Sequence, residues 1–163
     1  AEPVPVHIHL VRHAHAGARS HFEGDDRDRP LTAEGRAQAE AVGAALAAGP
    51  DRIDELWSSP YLRCLETLGP LARRTGLTVR HDDLLAEGAW GSVALDALLA
   101  AAAEGRTVVA CSHGDVIPAL VGTAVRRGAE LVGPATPRKG GRHDLLVVNG
   151  IVARVTYVER PEV

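Results

Sequence analysis

No stretch of this chain limits its fold more than Val6-His7-Ile8-His9-Leu10-Val11-Arg12. Val6, Ile8, Leu10 and Val11 are apolar and mainly β-branched, the composition of a central, buried strand. The run stops abruptly at Arg12-His13 and passes into the small-residue turn Ala14-His15-Ala16-Gly17. A guanidinium beside an imidazole at a strand end is well placed to hold an anion and attack it. Two later junctions, Ser58-Ser59-Pro60-Tyr61-Leu62-Arg63 and Ser112-His113-Gly114-Asp115, carry residues of the same kind. If the three converge, Arg12, His13, Arg63 and His113 share one pocket, and that pocket suits phosphate.

The order of elements supports convergence. A first strand is expected over residues 6–12, then a long charged loop over 14–30. Seventeen residues without structure are unusual in a compact domain unless they order over a site. Thr32 reads as an N-cap, with Glu34 helping the dipole of an Ala-rich helix that Gly49-Pro50 stops. A second strand is expected over 53–58, followed by a helix capped by Ser59, with Pro60 in its first turn and Gly76 at its C-terminus. A short strand over 77–80, a loop over 81–91 and a helix over 92–104 come next. Thr107-Val108-Val109-Ala110-Cys111 is a continuous apolar run of the central parallel-strand type. It leads into a helix over 115–127. Residues 128–142 read as irregular, and strands over 144–149 and 151–158 form a hairpin around Asn149-Gly150. Strands alternate with helices up to that hairpin. The expected fold is therefore an α/β three-layer sandwich, with a mainly parallel central sheet, helices on both faces and an antiparallel edge hairpin. In such sheets ligands sit beyond the carboxyl ends of the strands, where helix N-termini offer free N–H groups to anions.

Length and charge set outer limits. The 163 residues predict a single domain, 1–163, large enough for a real core. A net charge of −3 argues against a nucleic-acid partner held by bulk charge. No apolar run has the length of a membrane span, and no signal peptide is evident at Ala1-Glu2-Pro3-Val4-Pro5. Cys64 and Cys111 read as free buried thiols, so a cytoplasmic location is expected. The chain contains no Met, so either the initiator is removed or the chain is a fragment of something longer.

Four segments in order resemble the histidine phosphatase (phosphoglycerate mutase-like) superfamily. They are Leu10-Val11-Arg12-His13-Ala14, Arg29-Pro30-Leu31-Thr32-Ala33-Glu34-Gly35, Ser58 to Thr67, and Ser112-His113-Gly114-Asp115. The short length and the Arg-Pro-Leu-Thr stretch are most similar to the SixA-like subgroup. Arg63-Cys64-Leu65-Glu66-Thr67-Leu68 and Thr136-Pro137-Arg138-Lys139-Gly140-Gly141 are similar to the phosphatase domain that follows the Nudix domain in mycobacterial MutT-type enzymes. The Nudix box itself is absent, so fusion or association with a Nudix-type domain is an expectation from the resemblance. The chain departs from the family's pattern at Ala14, where Gly is usual, and at Arg19, where mutases usually carry Asn.

The resemblance implies a metal-independent phosphatase with no cofactor. His13 would attack phosphorus and become a phosphohistidine. Arg12, Arg63 and His113 would clamp the phosphoryl oxygens, and Glu87 would give the leaving group its proton. The expected substrate is a phosphate monoester or nucleotide phosphate. A protein phosphohistidine, as in SixA, is the alternative; a phosphoglycerate mutase or a catalytically weak binding module fits less well. The residues support the same roles on chemical grounds. A histidine attacks only as the neutral ring, two guanidiniums match phosphate oxygens at any working pH, and phosphoryl transfer needs charge stabilisation above all.

Each assignment has a plainer rival. Arg12-His13 could be a surface pair, Arg63 a solvated helix residue and His113 a capping histidine. Glu87 could be an ordinary loop carboxylate, with Asp82 and Asp83 as competing acids. His15 and Arg19 are possible substrate contacts. Trp90 either stacks on a base or covers the core, and cover is the expectation. Arg138, Lys139 and Arg142 read as a solvated loop, with contact to a second phosphate as the alternative. His7 and His9 share a strand face, yet no third zinc ligand at suitable spacing is evident. Ser112 lacks the Gly-x-Ser-x-Gly elbow of a Ser-His-Asp hydrolase.

Overall fold

The computed structural model describes residues 4–163, so the first three residues of the lead-in lie outside it. Seven strands form one sheet: β1 (Val6–Arg12), β2 (Glu55–Ser58), β3 (Val79–His81), β4 (Val108–Ser112), β5 (Glu130–Val132), β6 (Arg142–Val148) and β7 (Ile151–Val158). Their spatial order is β3-β2-β4-β1-β6-β7-β5. The β1, β2, β3 and β4 strands run parallel; β6 is antiparallel to both β1 and β7, while β5 is parallel to β7. One strand, β6, therefore runs against the other six.

Four helices cover the faces: α1 (Ala33–Ala48), α2 (Leu62–Thr75), α3 (Gly91–Ala103) and α4 (Val116–Arg126). Successive side chains of a strand point to opposite faces, and this alternation divides the core. Ile8, Leu10, Val108 and Ala110 pack with Leu95 and Leu98 of α3 and Ile117 and Leu120 of α4. Val11, Val109 and Cys111 pack with Val42 and Leu46 of α1 and Leu68 and Leu71 of α2. Thr32 caps α1 by accepting the Gly35 N–H, and Gly76 closes α2 in the left-handed conformation at φ 74°.

Three details differ from the sequence reading. The short β5 lies in the segment read as irregular; its three residues gain their order from pairing with β7. The β6–β7 hairpin, which turns at Asn149 and Gly150 with φ of 53° and 75°, is therefore not the sheet edge. And α2 begins at Leu62 rather than at Pro60, with Tyr61 as its N-cap. The Ser59 hydroxyl accepts the Tyr61 N–H at 3.2 Å and also meets His113.

Candidate active site

The strand order β2-β4-β1 brings the three junctions side by side. Their backbones are tied together: His13 N–H donates to Ser112 O at 3.1 Å, and Ser59 N–H donates to Cys111 O at 3.0 Å. The result is a cavity of about 380 Å³ lined by Arg12, His13, Arg63 and His113, with Arg19, Arg29, Lys139, Glu87 and Asp115 around them. Five of these side chains are Arg or Lys, two are His and two are carboxylates. The chemistry of this lining suits an anion.

His13 is 6% exposed. Its Nδ1–H donates to the Ala14 carbonyl at 2.8 Å, which leaves Nε2 with a lone pair. Burial first, then the charges of His113, Arg63 and Arg12, push its pKa down to about 3. The ring is neutral and nucleophilic at any ordinary pH.

Arg12 is held at both ends. Its Nη1 donates to the Pro137 carbonyl at 2.8 Å, and its backbone C=O accepts the Gly140 N–H at 3.1 Å. Its guanidinium presses on Gly114, where a Cβ would lie 2.7 Å from Arg12 Cζ. Arg63 is fully buried; its Nη1 and Nη2 donate to the Asp26 carbonyl at 2.9 Å and to Asp26 Oδ2 at 3.1 Å, and its Cζ lies 4.9 Å from the Tyr61 ring centroid. The His113 ring centroid is 5.4 Å from that of His13, and its Nε2 meets Ser59 Oγ at 2.8 Å.

Asp26 is the organiser that the sequence reading missed. It lies in the long loop, which is ordered by two single-turn 3-10 helices, 19–21 and 26–28. Its carboxylate touches Arg29 at 2.9 Å, Arg63 at 3.1 Å and Arg19 at 3.3 Å. Burial opposes ionisation, but the hydrogen bond from Arg29 and the charges of Arg63, Arg29 and Arg19 outweigh it and lower the Asp26 pKa. Arg29 in turn fastens the loop through the Ala16 and Gly17 carbonyls. Nothing in an Asp-rich loop singles out which aspartate will meet a helix arginine thirty-seven positions on.

Glu87 lines the cavity, with both carboxylate oxygens on Arg19 Nη2 at 2.7 and 2.9 Å and one oxygen 3.7 Å from Arg63. Its rivals lie outside the lining: Asp82 caps a short turn and pairs with Arg80, and Asp83 sits in that turn. Asp115 does line it and accepts the Gly88 N–H at 2.8 Å, which ties the Glu87 loop to the His113 junction. Lys139 lines it too, its pKa lowered by burial and by Arg12 and Arg29. Arg138 and Arg142 instead pair with Glu159 and Asp144.

His15 is not brought into the lining; its ring meets Thr32 Oγ1 at 2.7 Å. Trp90 does not cover the core. It is 79% exposed at the N-terminus of α3. The next residue, Gly91, is pressed against α4 so closely that a Cβ would meet Leu120 N at 2.4 Å, and this seating leaves the Trp90 indole outside. His7 and His9 are occupied with Asp51, and His9 also with Asp144. Among the described residues no group of three or more His, Cys, Asp or Glu has the arrangement of a metal site. Ser112 Oγ donates to the Leu85 carbonyl and so is engaged away from catalysis.

Residues 8–95 match the family described as the histidine phosphatase superfamily (branch 1). The chain belongs to that superfamily. It is 35% identical over 156 residues, 94% of its length, to an 8-oxo-(d)GTP phosphatase of Mycolicibacterium smegmatis, and spans 48% of that relative. Structures given the name SixA superpose on it. One, from Nakamurella multipartitia, has a TM-score of 0.78 with all of both chains covered at 25% identity. Another, SixA complexed with tungstate, has a TM-score of 0.73 with 94% of each chain covered at 20% identity. At these identities the structural likeness is one of fold. Three of the four side chains at the centre of the cavity, Arg12, His13 and Arg63, lie within the matched residues.

Proposed function

We propose that this histidine phosphatase domain hydrolyses the terminal phosphate of a nucleotide or similar small phosphate ester through a phosphohistidine on His13, without a metal. The observation that carries the reading is the orientation of His13: its Nδ1–H is spent on Ala14, so Nε2 is the nitrogen that faces the cavity shared with Arg12, Arg63 and His113. Nε2 attacks phosphorus as the P–O bond to the leaving group breaks. The guanidiniums and His113 bind the three equatorial oxygens, where charge accumulates. Glu87 supplies the leaving oxygen's proton and then takes one from the water that releases phosphate from His13. To act so, it exchanges its contact with Arg19 for the reacting oxygen. Arg19 is thus a substrate-sensitive partner of the acid.

A nucleotide is favoured by two features at the margin. Lys139 adds a cation beside Arg12 that suits a second phosphate, and Trp90 exposes a stacking face three residues beyond Glu87. The mycobacterial relative's name points the same way; association with a Nudix-type domain rests on the sequence resemblance alone. No helix among the described residues is long and apolar enough to cross a membrane. The free, buried Cys64 and Cys111 suit the reducing cytoplasm.

The test is rapid base quenching during turnover of purified protein, with nucleoside mono-, di- and triphosphates and a phosphohistidine protein compared as substrates. A base-stable, acid-labile phosphate on His13, absent in His13→Ala, is the expected result. Normal turnover by His13→Ala overturns the mechanism, and preference for the phosphohistidine protein overturns the substrate class.

A further inference from the structure

Ser59 makes a contact that the mechanism above does not use. Its side chain is buried, and its Oγ lies 2.8 Å from His113 Nε2 while accepting the Tyr61 backbone N–H at 3.2 Å. A hydroxyl has one proton to donate and prefers a strong acceptor when buried. His113 Nε2 is the side-chain acceptor that Ser59 Oγ reaches at 2.8 Å; the Cys64 sulfur lies 3.6 Å from the same nitrogen and is directed as a thiol to Ser112 O. Were the proton on Nε2, Ser59 Oγ would accept twice and its own O–H would be left to that sulfur. The stronger pairing has Ser59 donating to Nε2 and the ring carrying its proton on Nδ1. His113 Nδ1 is buried and has no partner among the described residues.

Resting on the phosphatase reading, we infer that Ser59 is a positioning residue that holds His113 as the Nδ1–H tautomer, so that the ring offers an N–H to a phosphoryl oxygen. His13 and His113 then carry their protons on the same ring atom but present opposite ends to the cavity. His13 gives its N–H to Ala14 and shows phosphorus a lone pair; His113 gives its lone pair to Ser59 and shows oxygen a donor. Two imidazoles 5.4 Å apart thereby take opposite roles.

The experiment is ¹⁵N NMR of protein labelled in the histidine rings, with His113 assigned by loss of its signals in His113→Asn, alongside kinetics on p-nitrophenyl phosphate. In the free parent near neutral pH, His113 should show a pyrrole-type Nδ1 and a pyridine-type Nε2. Ser59→Ala should move the ring toward the Nε2–H form and lower kcat/KM about 10- to 100-fold, less than the loss of a whole oxyanion donor. Ser59→Thr should keep both the tautomer and most of the activity. A pyridine-type Nδ1 in the parent, or pyrrole-type signals from both nitrogens, overturns the inference. So does a Ser59→Ala protein that loses activity with its tautomer unchanged. If Ser59→Ala does not fold, the parent spectrum and Ser59→Thr still decide. Full activity in His113→Asn would instead defeat the phosphatase reading of His113, whatever the parent tautomer.

Discussion

His13 must be neutral to attack, and burial and the neighbouring guanidiniums of Arg63 and Arg12 both push it that way. The cost of burying it appears as a pH dependence of stability. The folded ring resists protonation down to about pH 3, whereas the unfolded chain takes the proton near its ordinary value of 6.5. Stability linked to His13 is therefore fully present above about pH 6.5 and is lost as pH falls toward 3, by at most about 1.4 kcal/mol per pH unit. Urea denaturation between pH 7 and 4 should show a shallower acid decline in His13→Gln than in the parent; parallel declines would contradict the burial argument. Arg63 belongs to the same scale. It is held flat by Asp26 and the Tyr61 ring, and its planar fork can bind two oxygens at once. Arg63→Lys should lose about 100-fold or more in kcat/KM despite keeping its charge, because a point ammonium cannot replace the fork. Glu87→Gln should cost roughly 100- to 10,000-fold on an alkyl phosphate and far less on p-nitrophenyl phosphate, whose leaving group departs without a proton. Equal losses on both esters would make Glu87 a structural partner of Arg19.

At the scale of elements, close approach of backbones decides where side chains can go. Gly91 begins α3 and meets the α4 backbone at a distance that leaves no room for a methyl group. Gly91→Ala should destabilise the fold by about 1–3 kcal/mol through overpacking, read from the midpoint of chemical denaturation. Because α3 carries Trp90 and follows the Glu87 loop, the same variant should raise KM for nucleotides more than for p-nitrophenyl phosphate. An unchanged midpoint would show that α3 is free to shift. The loop before α1 illustrates the complementary case. It has little regular structure, yet Arg29, Asp26 and the carbonyls of Ala16 and Gly17 bind it into a wall of the cavity.

Across the whole molecule, the cavity concentrates positive charge in a protein whose net charge is −3. Like charges held together without an anion destabilise the folded state, so an oxyanion that binds only the native protein must stabilise it. Inorganic phosphate or vanadate at about 100 times its dissociation constant should add about 2.7 kcal/mol. The rise in Tm should disappear in Arg63→Ala, and a rise that persists there would place the anion elsewhere. Chelator should leave turnover unchanged, since the proposed clamp is made of Arg12, Arg63 and His113; a loss restored by zinc would redirect attention to His7 and His9.

The amino-acid sequence by itself carried the strand-helix alternation, the Asn149-Gly150 hairpin and the three junction motifs, because hydrophobic period and turn chemistry are local properties. The residues Arg12, His13, Arg63 and His113 were legible for the same reason: each ends a strand or begins a helix at a recognisable motif. Tertiary structure alone decided which strands are neighbours, and with them that three distant junctions form one cavity. It also decided the partners of residues whose types are common. Asp26 was one acid among several until it met Arg63, Ser59 was a helix cap until its hydroxyl reached His113, and β5 had too few residues to order without β7. Trp90 read as core because indoles usually are, but its burial depended on how closely Gly91 seats α3 on α4. Local patterns specify elements; contacts between residues far apart in the chain depend on packing that no single segment contains.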